Sequence, residues 1–334
     1  MSAYEPRSSS PALVVPPRRR GRRSSLRSWR RRDQLIYLLA WSAGIALCLI
    51  AGAIVVFLAV QGLRYLDPAL LVTSPSASVD QSQSGGILDP IEGTLALAVL
   101  GTLIATPIAV ATAIWVIEYG RPRWLARIVE TSIELIAGTP DIVIAIFGLA
   151  VFQLGILAPF SFRSSAGGVY GRSFLAAGIM VSLVALPLTY TATRNGLRAI
   201  PRHLREASYA LGKTRITTIR RVLLPSLRAD IATGATLGLG RIIGSTAIVV
   251  VLLGATLQNV PENGVPLLGF LRGTGSTLPS YILNNSPAGE GNAPQKAYAA
   301  AFVLMLIILA LNWVVGRISR AGAAAGLYAG RVAR

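Results

Sequence analysis

The sequence predicts an all-α integral membrane protein with six transmembrane helices. Three observations predict it. Of its 334 residues, 53% are hydrophobic and only 14% are charged, against about 25% charged in a soluble domain. The charge is clustered, so apolar runs recur that can cross a hydrocarbon core ~30 Å thick, for which about 20 residues suffice. The alternating segments of about ten residues that a membrane β-barrel needs do not appear.

The elements follow in order. Residues 1–33 hold ten arginines and two acids among many Ser and Pro, the composition of a disordered basic tail. Its stretch GRRSSLRSWRRR has the look of a twin-Arg export signal. The apolar run after it, Leu35 to Leu63, is too long for a signal segment and lacks a small-x-small cleavage pattern. That run is the first span, within residues 34–63, and a loop over 64–92 follows it. The core, 93–317, supplies five more spans: Gly93–Ile117 with Pro107 inside, Ile133–Leu157 with Pro140 near its start, Ser173–Thr193 with Pro187, Ile231–Leu257 with Arg241, and Ala297–Gly316. A tail over 318–334 ends in the low-complexity AGAAAGLYAGRVAR.

Lys and Arg gather in the N-terminal tail, the 118–128 turn, the 194–230 loop and the C-terminal tail. The 64–92 loop sets one arginine against Asp67, Asp80, Asp89 and Glu92, and the 158–172 and 255–296 loops are also poor in basic residues. The bias toward positive charge on the inner side therefore places both termini and the 194–230 loop in the cytoplasm. Stretches such as SPSASVDQSQSGG and NNSPAGEGNAP read as solvated connectors.

The residue inventory limits the chemistry. One cysteine, Cys48, cannot form an internal disulfide. One histidine, His203, is flanked by Pro201, Arg202 and Arg205 and reads as part of a surface loop, which argues against a catalytic triad. No His/Cys/carboxylate metal cluster can be assembled. No Walker A pattern is present, so ATP hydrolysis belongs to another chain. The Arg-rich arm lacks interleaved aromatics, and no nucleic acid is expected as a partner. Membrane lipids are expected partners of the basic amphipathic stretch described next.

That stretch, EASYALGKTRITTIRRVLLP, runs from Glu206 to Pro225. Arg205–Leu211 reads as a helix with Glu206 in its first turn, where the dipole favours an acid. Gly212 stands where a helix end wants φ > 0. Thr214 can cap a second helix, in which Ile216, Ile219, Val222 and Leu223 share a face. Pro225 redirects the chain into the fifth span. The small Ala207 and Ala210 allow close approach of a partner surface. In the fifth span, Arg241 is the only basic residue inside the membrane. A charge there costs about 3 kcal/mol on insertion scales, so it faces a bundle interior or a pathway. It is either half of an interhelical ion pair or an anion-attracting group, since guanidinium suits a tetrahedral oxyanion. Gly234-x-x-x-Gly238 and Gly240-x-x-x-Gly244 are small-residue patterns suited to tight helix packing.

Glu206, Ala207, Ser208, Gly212, Val222, Leu224 and Pro225 resemble, at its spacing, the EAA motif of binding-protein-dependent ABC importer permeases, with Ser for the second Ala and Val for Ile. GGILDPIEGTLALAVLGTLIATPIAVATAIWVIEYG, ELIAGTPDIVIAIFGLAVF and GRIIGSTAIVVVLLGAT are similar to stretches of phosphate-importer permeases. The 277–312 segment, TLPSYILNN…AYAAAFVLMLIILALN, resembles the PstA type rather than its PstC-type partner. The resemblance covers about Gly85 to Asn312.

It implies a type I ABC importer (MetI-like) permease fold. The implied function is a non-catalytic permease subunit, half of a pore, in an ATP-driven importer of inorganic phosphate across a bacterial or archaeal plasma membrane. The chain would bind no cofactor; ATP and Mg would sit on the partner ATPase. Implied partners are a second permease (PstC-like), an ATPase dimer (PstB-like) and an extracytoplasmic phosphate-binding protein (PstS-like). Glu206, Ala207, Ser208, Gly212, Leu224 and Pro225 would couple to the ATPase. Arg241, Ser245, Thr246, Asp141 and Thr139 would line the substrate path. The chain departs from the family at two places. Where the family reads Arg-Ala-x-Gly-Glu-Thr, it has Arg241-Ile-Ile-Gly244-Ser245-Thr246. Where the family has a small or hydroxyl residue after Pro, it has Asp141. Asp141 either takes over as counter-charge to Arg241 or is solvated at the cytoplasmic interface. Alternatives are a permease for another oxyanion, such as phosphonate, molybdate or sulfate, and a secondary transporter. The second would show inverted repeats with broken helices and paired intramembrane carboxylates, and none of these is expected here.

Overall fold

The computed structural model describes residues 31–76, 85–162, 168–254, 258–260, 266–287, 289 and 293–332. The tail expected over 1–33 falls almost wholly outside them. Among the described residues the regular structure is helical throughout. Among the described residues four helices are long and apolar enough to cross a membrane. They are Asp33–Arg64 within α1 (Arg31–Arg64), Leu88–Tyr119, α6 (Phe174–Ala199) and Pro294–Arg317 within α14 (Pro294–Val332). The second of these is α3 (Leu88–Ile114) continued by a π-helical turn, Trp115–Tyr119. Pro107 and Pro187 sit inside α3 and α6 without ending them.

The third and fifth spans are not the continuous helices expected. The span expected over Ile133–Leu157 is built from α4 (Arg123–Gly138) and α5 (Asp141–Phe152), which meet at 109°, and ends in a 3-10 turn, Gly155–Phe160. Thr139 and Pro140 are extended, with ψ of 131° and 139°. Proline has no N–H to donate and pushes the residue before it out of the α region. In the fifth span, α10 (Arg228–Gly244) and α11 (Thr246–Leu253) meet at 55°. Their joint is a Gly-Ser pair, a recognised cause of sharp kinks. Counting each bent pair as one span gives six. Broken helices, expected to be absent, thus occur twice.

Helix α6 is the hub. Its Phe174, Val181 and Ala185 share the main core with Leu97 of α3, Ile144 of α5, Ile242 of α10 and Leu252 of α11. Toward its C-terminal end, Tyr190 and Leu197 join a second core with Ala109 and Ala113 of α3 and with Ile219, Leu223 and Leu227 beyond the elbow. The outer connections carry short helices, α2 (Pro68–Val72), α12 (Pro266–Arg272) and α13 (Leu278–Asn285); of the two stretches read as solvated, residues 77–84, 288 and 290–292 lie outside the described residues. A capping box between Thr277 and Ser280 opens α13, and its Leu278 and Tyr281 pack with Leu70 and with Ala299, Ala300 and Val303 of α14. Burial pushes the Tyr281 phenol up to about 12, which keeps it neutral. Asp89, near the start of α3, ties two connections together. It accepts from Ser74 Oγ at 2.8 Å and from the Asn259 N–H at 3.0 Å. At the other end of the chain, the backbone stays helical as far as Val332.

The two glycine patterns of α10 separate. A Cβ on Gly234 would lie 2.9 Å from Thr189 Cα, and one on Gly238 would lie 3.0 Å from Thr189 Oγ1. Thr189 Oγ1 also donates to the Gly234 carbonyl at 3.1 Å. Beside Gly240 and Gly244 a Cβ meets nothing within 4 Å. Only the first pattern packs α10 against α6. Gly234→Leu is therefore predicted to destabilise the chain by about 1–3 kcal/mol through overpacking. Gly240→Ala is predicted to stabilise it by about 0.5–1 kcal/mol. Thermal unfolding of the two variants in detergent checks both signs.

Candidate functional site

The break between α4 and α5 makes Asp141 the first residue of a helix, and Arg241 lies in the last turn of α10. Each charge suits its helix end: an acid at the positive N-terminus, a base at the negative C-terminus. The two meet. Arg241 Nη2 donates to Asp141 Oδ1 at 2.5 Å, and Ser245 Oγ donates to Asp141 Oδ2 at 3.0 Å. Both carboxylate oxygens are thereby engaged. Of the two places left open for Asp141, the one beside Arg241 is occupied. The Asp141 side chain is 17% exposed and that of Arg241 is 47% exposed. The guanidinium therefore presents donors away from its partner acid.

Two other residues expected beside Arg241 take different positions. Thr139 Oγ1 donates back to the Leu135 carbonyl at 2.7 Å. Thr246 opens α11 and lines an apolar cavity of about 560 Å³ with Ile142, Val250, Pro279 and Ile282. The geometry thus unites Arg241, Asp141 and Ser245, sets Thr246 next door, and turns the Thr139 hydroxyl aside.

The second feature is the elbow between α6 and α10. Helix α7 (Arg202–Ala210) starts after Pro201, earlier than Arg205, so Glu206 lies in the second turn and not the first. The extended Pro201 makes Arg202 the natural first helical residue. Gly212 has φ +71°, and open space surrounds the position a Cβ would take. Its requirement is conformational, not steric. Thr214 then caps α8 (Arg215–Thr218), accepting from the Thr217 N–H. A π-helical turn, Ile219–Leu223, and a short α9 (Leu224–Ser226) follow. Ile219 and Leu223 are buried and Val222 half-buried, but Ile216, ahead of the π turn, is exposed, so the expected apolar face is only partly buried.

Helix α7 has two faces. Glu206, Ala207 and Tyr209 are exposed, and so are Leu211 and Gly212 after it. Ser208 is buried, sharing a hydrogen bond of 2.9 Å with Thr218 Oγ1. Leu224 and Pro225 are half-buried where the chain enters α10. His203 is exposed on α7, in a helix and not in the loop expected. Among the described residues no group of His, Cys, Asp and Glu could hold a metal.

One contact escaped the sequence reading. Arg205, on the inner face of α7, pairs with Glu118 of the π turn after α3 at 2.9 Å. The available signal was that Glu118 is the only acid in the otherwise basic 118–128 turn.

Comparison with known proteins adds the following. Residues 105–321 match the profile of a family described as binding-protein-dependent transport system inner membrane component. The chain is 35% identical over 234 residues to the probable ABC transporter permease protein YqgH of Bacillus subtilis, covering 68% of this chain and 73% of the relative. It is 32% identical over 229 residues to the phosphate transport system permease protein PstA 1 of Mycobacterium tuberculosis, covering 69% of each. A relative named PstC, from Xylella fastidiosa, matches at 30% over 249 residues, 70% of this chain and 72% of the relative. Both subunit names therefore occur at similar identity. The crystal structure of a bacterial alginate ABC transporter with its alginate-bound periplasmic protein aligns with a TM-score of 0.61 at 17% identity, over 87% of this chain and 96% of that one. The fold is accordingly that of ABC importer permeases.

The pair is half-exposed on its Arg side, so its stabilising effect is expected to be modest. A double-mutant cycle of Asp141→Ala and Arg241→Ala is predicted to return a coupling energy of about 1 kcal/mol in chemical or thermal unfolding. Ser245→Ala is predicted to change stability by about 1 kcal/mol or less.

Proposed function

The chain belongs to the family of binding-protein-dependent transport system inner membrane components, and we propose that it is a permease subunit of an ATP-driven importer of inorganic phosphate. It is a multi-pass membrane component without a catalytic site of its own. The observation that carries the substrate is the half-exposed Arg241 inside the fifth span, supported by relatives named as phosphate transport permeases over two thirds of the chain. Arg241 offers a tetrahedral oxyanion charge-assisted hydrogen bonds. In the resting arrangement the Asp141 carboxylate takes that place. Phosphate passing Arg241 displaces Oδ1 of Asp141, while the Ser245 and Thr246 hydroxyls line the route. The Thr139 hydroxyl joins them on turning from the Leu135 carbonyl.

The chain forms half of the pore, of PstA type by its 277–312 segment, and a PstC-like permease supplies the other half. A PstS-like binding protein delivers phosphate from outside a bacterial or archaeal plasma membrane, with both termini of this chain cytoplasmic. A PstB-like ATPase dimer, which holds ATP and Mg, docks on the elbow. Support for that docking is the outward display of Glu206 and Ala207 together with exposed Tyr209, Leu211 and Ile216. The elbow at Gly212 sets the angle between the two helices, and Leu224 and Pro225 lead into the span that bears Arg241.

Two measurements test the reading. In proteoliposomes bearing the whole transporter, Arg241→Ala is predicted to lower uptake of labelled phosphate about 10- to 100-fold, as expected for a lost hydrogen bond to a charged group. Unchanged uptake removes Arg241 from the route. Gly212→Pro, whose ring locks φ near −65°, is predicted to abolish co-purification of the ATPase while the spans remain inserted. A retained ATPase counts against the elbow as the docking element.

A further inference from the structure

Helix α7 is flanked by short, non-helical connections. Before it, Ile200 and Pro201 are extended, with ψ of 122° and 142°. After it comes Gly212 in the left-handed region. Its main helical neighbour is α8. Among the described residues one side chain ties α7 directly to both the α3 and α6 spans. Arg205 Nε donates to Glu118 Oε1 at 2.9 Å, Nη1 to the Ile200 carbonyl at 2.9 Å and Nη2 to the Leu197 carbonyl at 2.8 Å. The two carbonyls belong to the end of α6, where the last turn has no helical donors left for them. Glu118 belongs to the turn that ends the α3 span. One guanidinium therefore grips both spans at once, in the fork geometry that a lysine cannot reproduce.

The grip is shielded from water, with side-chain exposures of 17% for Arg205 and 9% for Glu118. It is also braced. Arg215 of α8 lies over the Tyr119 ring at 5.9 Å and reaches the Glu118 carbonyl at 3.5 Å. The Ser208–Thr218 hydrogen bond closes α7 onto α8. Beside the pair lies a cavity of about 460 Å³, lined by Arg198, Arg202 and Glu206 as well as the pair itself. Once the pair is cut, that space lets α7 tilt without dragging α3. Beyond the joint, α3 and α6 pack along their lengths, and α6 packs on α10, which carries Arg241.

We propose that the Glu118–Arg205 pair is the joint through which displacement of α7 moves α3 and α6, so that its loss uncouples ATP hydrolysis from transport. The proposal rests on the reading of the elbow as the ATPase dock. Arg205 and Glu118 are positioning residues: they touch neither substrate nor nucleotide, and they act through the helices that they join.

The test uses the complete transporter with its binding protein in proteoliposomes, with ATP hydrolysis and phosphate uptake read on the same vesicles. Glu118→Gln keeps the shape of the side chain and removes its charge. The ATPase is expected to co-purify as before and hydrolysis to stay within about twofold, while uptake falls ~tenfold, a size consistent with coupling carried by one contact. ATP consumed per phosphate carried therefore rises about 5- to 20-fold. Glu118→Asp keeps the charge and is expected to restore part of the uptake, which guards against misfolding of the Gln variant. An unchanged ratio of ATP to phosphate overturns the joint, whether both rates hold or both fall together. That result is distinct from failure of the dock itself, which shows as an ATPase retained by Gly212→Pro.

Discussion

The contact between Asp141 and Arg241 exists because two helices stop where they face each other. Helix α5 begins at Asp141 and α10 ends at Gly244, so both residues lie where the backbone has just changed direction. A guanidinium among apolar helices costs several kcal/mol unless its surroundings answer it. Here an acid 100 residues away answers it, and Ser245 engages the second oxygen of that acid. The same constraint governs smaller groups. Thr94, Thr112 and Thr193 each donate to a carbonyl one turn back in their own helix. At the far end of α6, Arg205 takes up carbonyls that the helix leaves over. Most of these polar atoms find partners inside the chain, because lipid supplies none, while the buried hydroxyls of Thr102 and Thr106 stay unpaired among the described residues.

Helix α6 connects the two polar places. Its sides are built of Ala, Gly and Val, which bring α3 and α10 close. Tight packing of this kind does not deform smoothly; it moves as a body or not at all. A push delivered at the Arg205 end is therefore received along the whole helix. Under the proposed function this is how events at the elbow reach Arg241, with no charged relay needed through the apolar middle.

The apolar runs were legible in the sequence because a membrane demands length and freedom from charge, both of which are local properties. The breaks were not. Pro140 stood in plain view, but so did Pro107 and Pro187, and those two lie within continuous helices. Proline by itself does not decide between a kink tolerated and a helix ended. Asp141 was conspicuous as an acid in an apolar run, yet its neighbour could be narrowed only to two environments. The elbow was legible in outline, since Gly212 and Thr214 carry intrinsic conformational preferences. The face after it was legible only in part: Ile219 and Leu223 are buried, while Ile216, in the first turn of α8, has no neighbour among the described residues to cover it.

The sequence by itself determined the membrane class, the spacing Glu206–Gly212–Pro225 and the isolation of one arginine in an apolar span. Each follows from residues close in the chain, where composition and backbone preference act. The tertiary structure alone decided which acid meets Arg241, which acid meets Arg205, and which pair of glycines lies against α6. These pairings span 100, 87 and 45 residues. They depend on where helices end and cross in space, and no local preference encodes that.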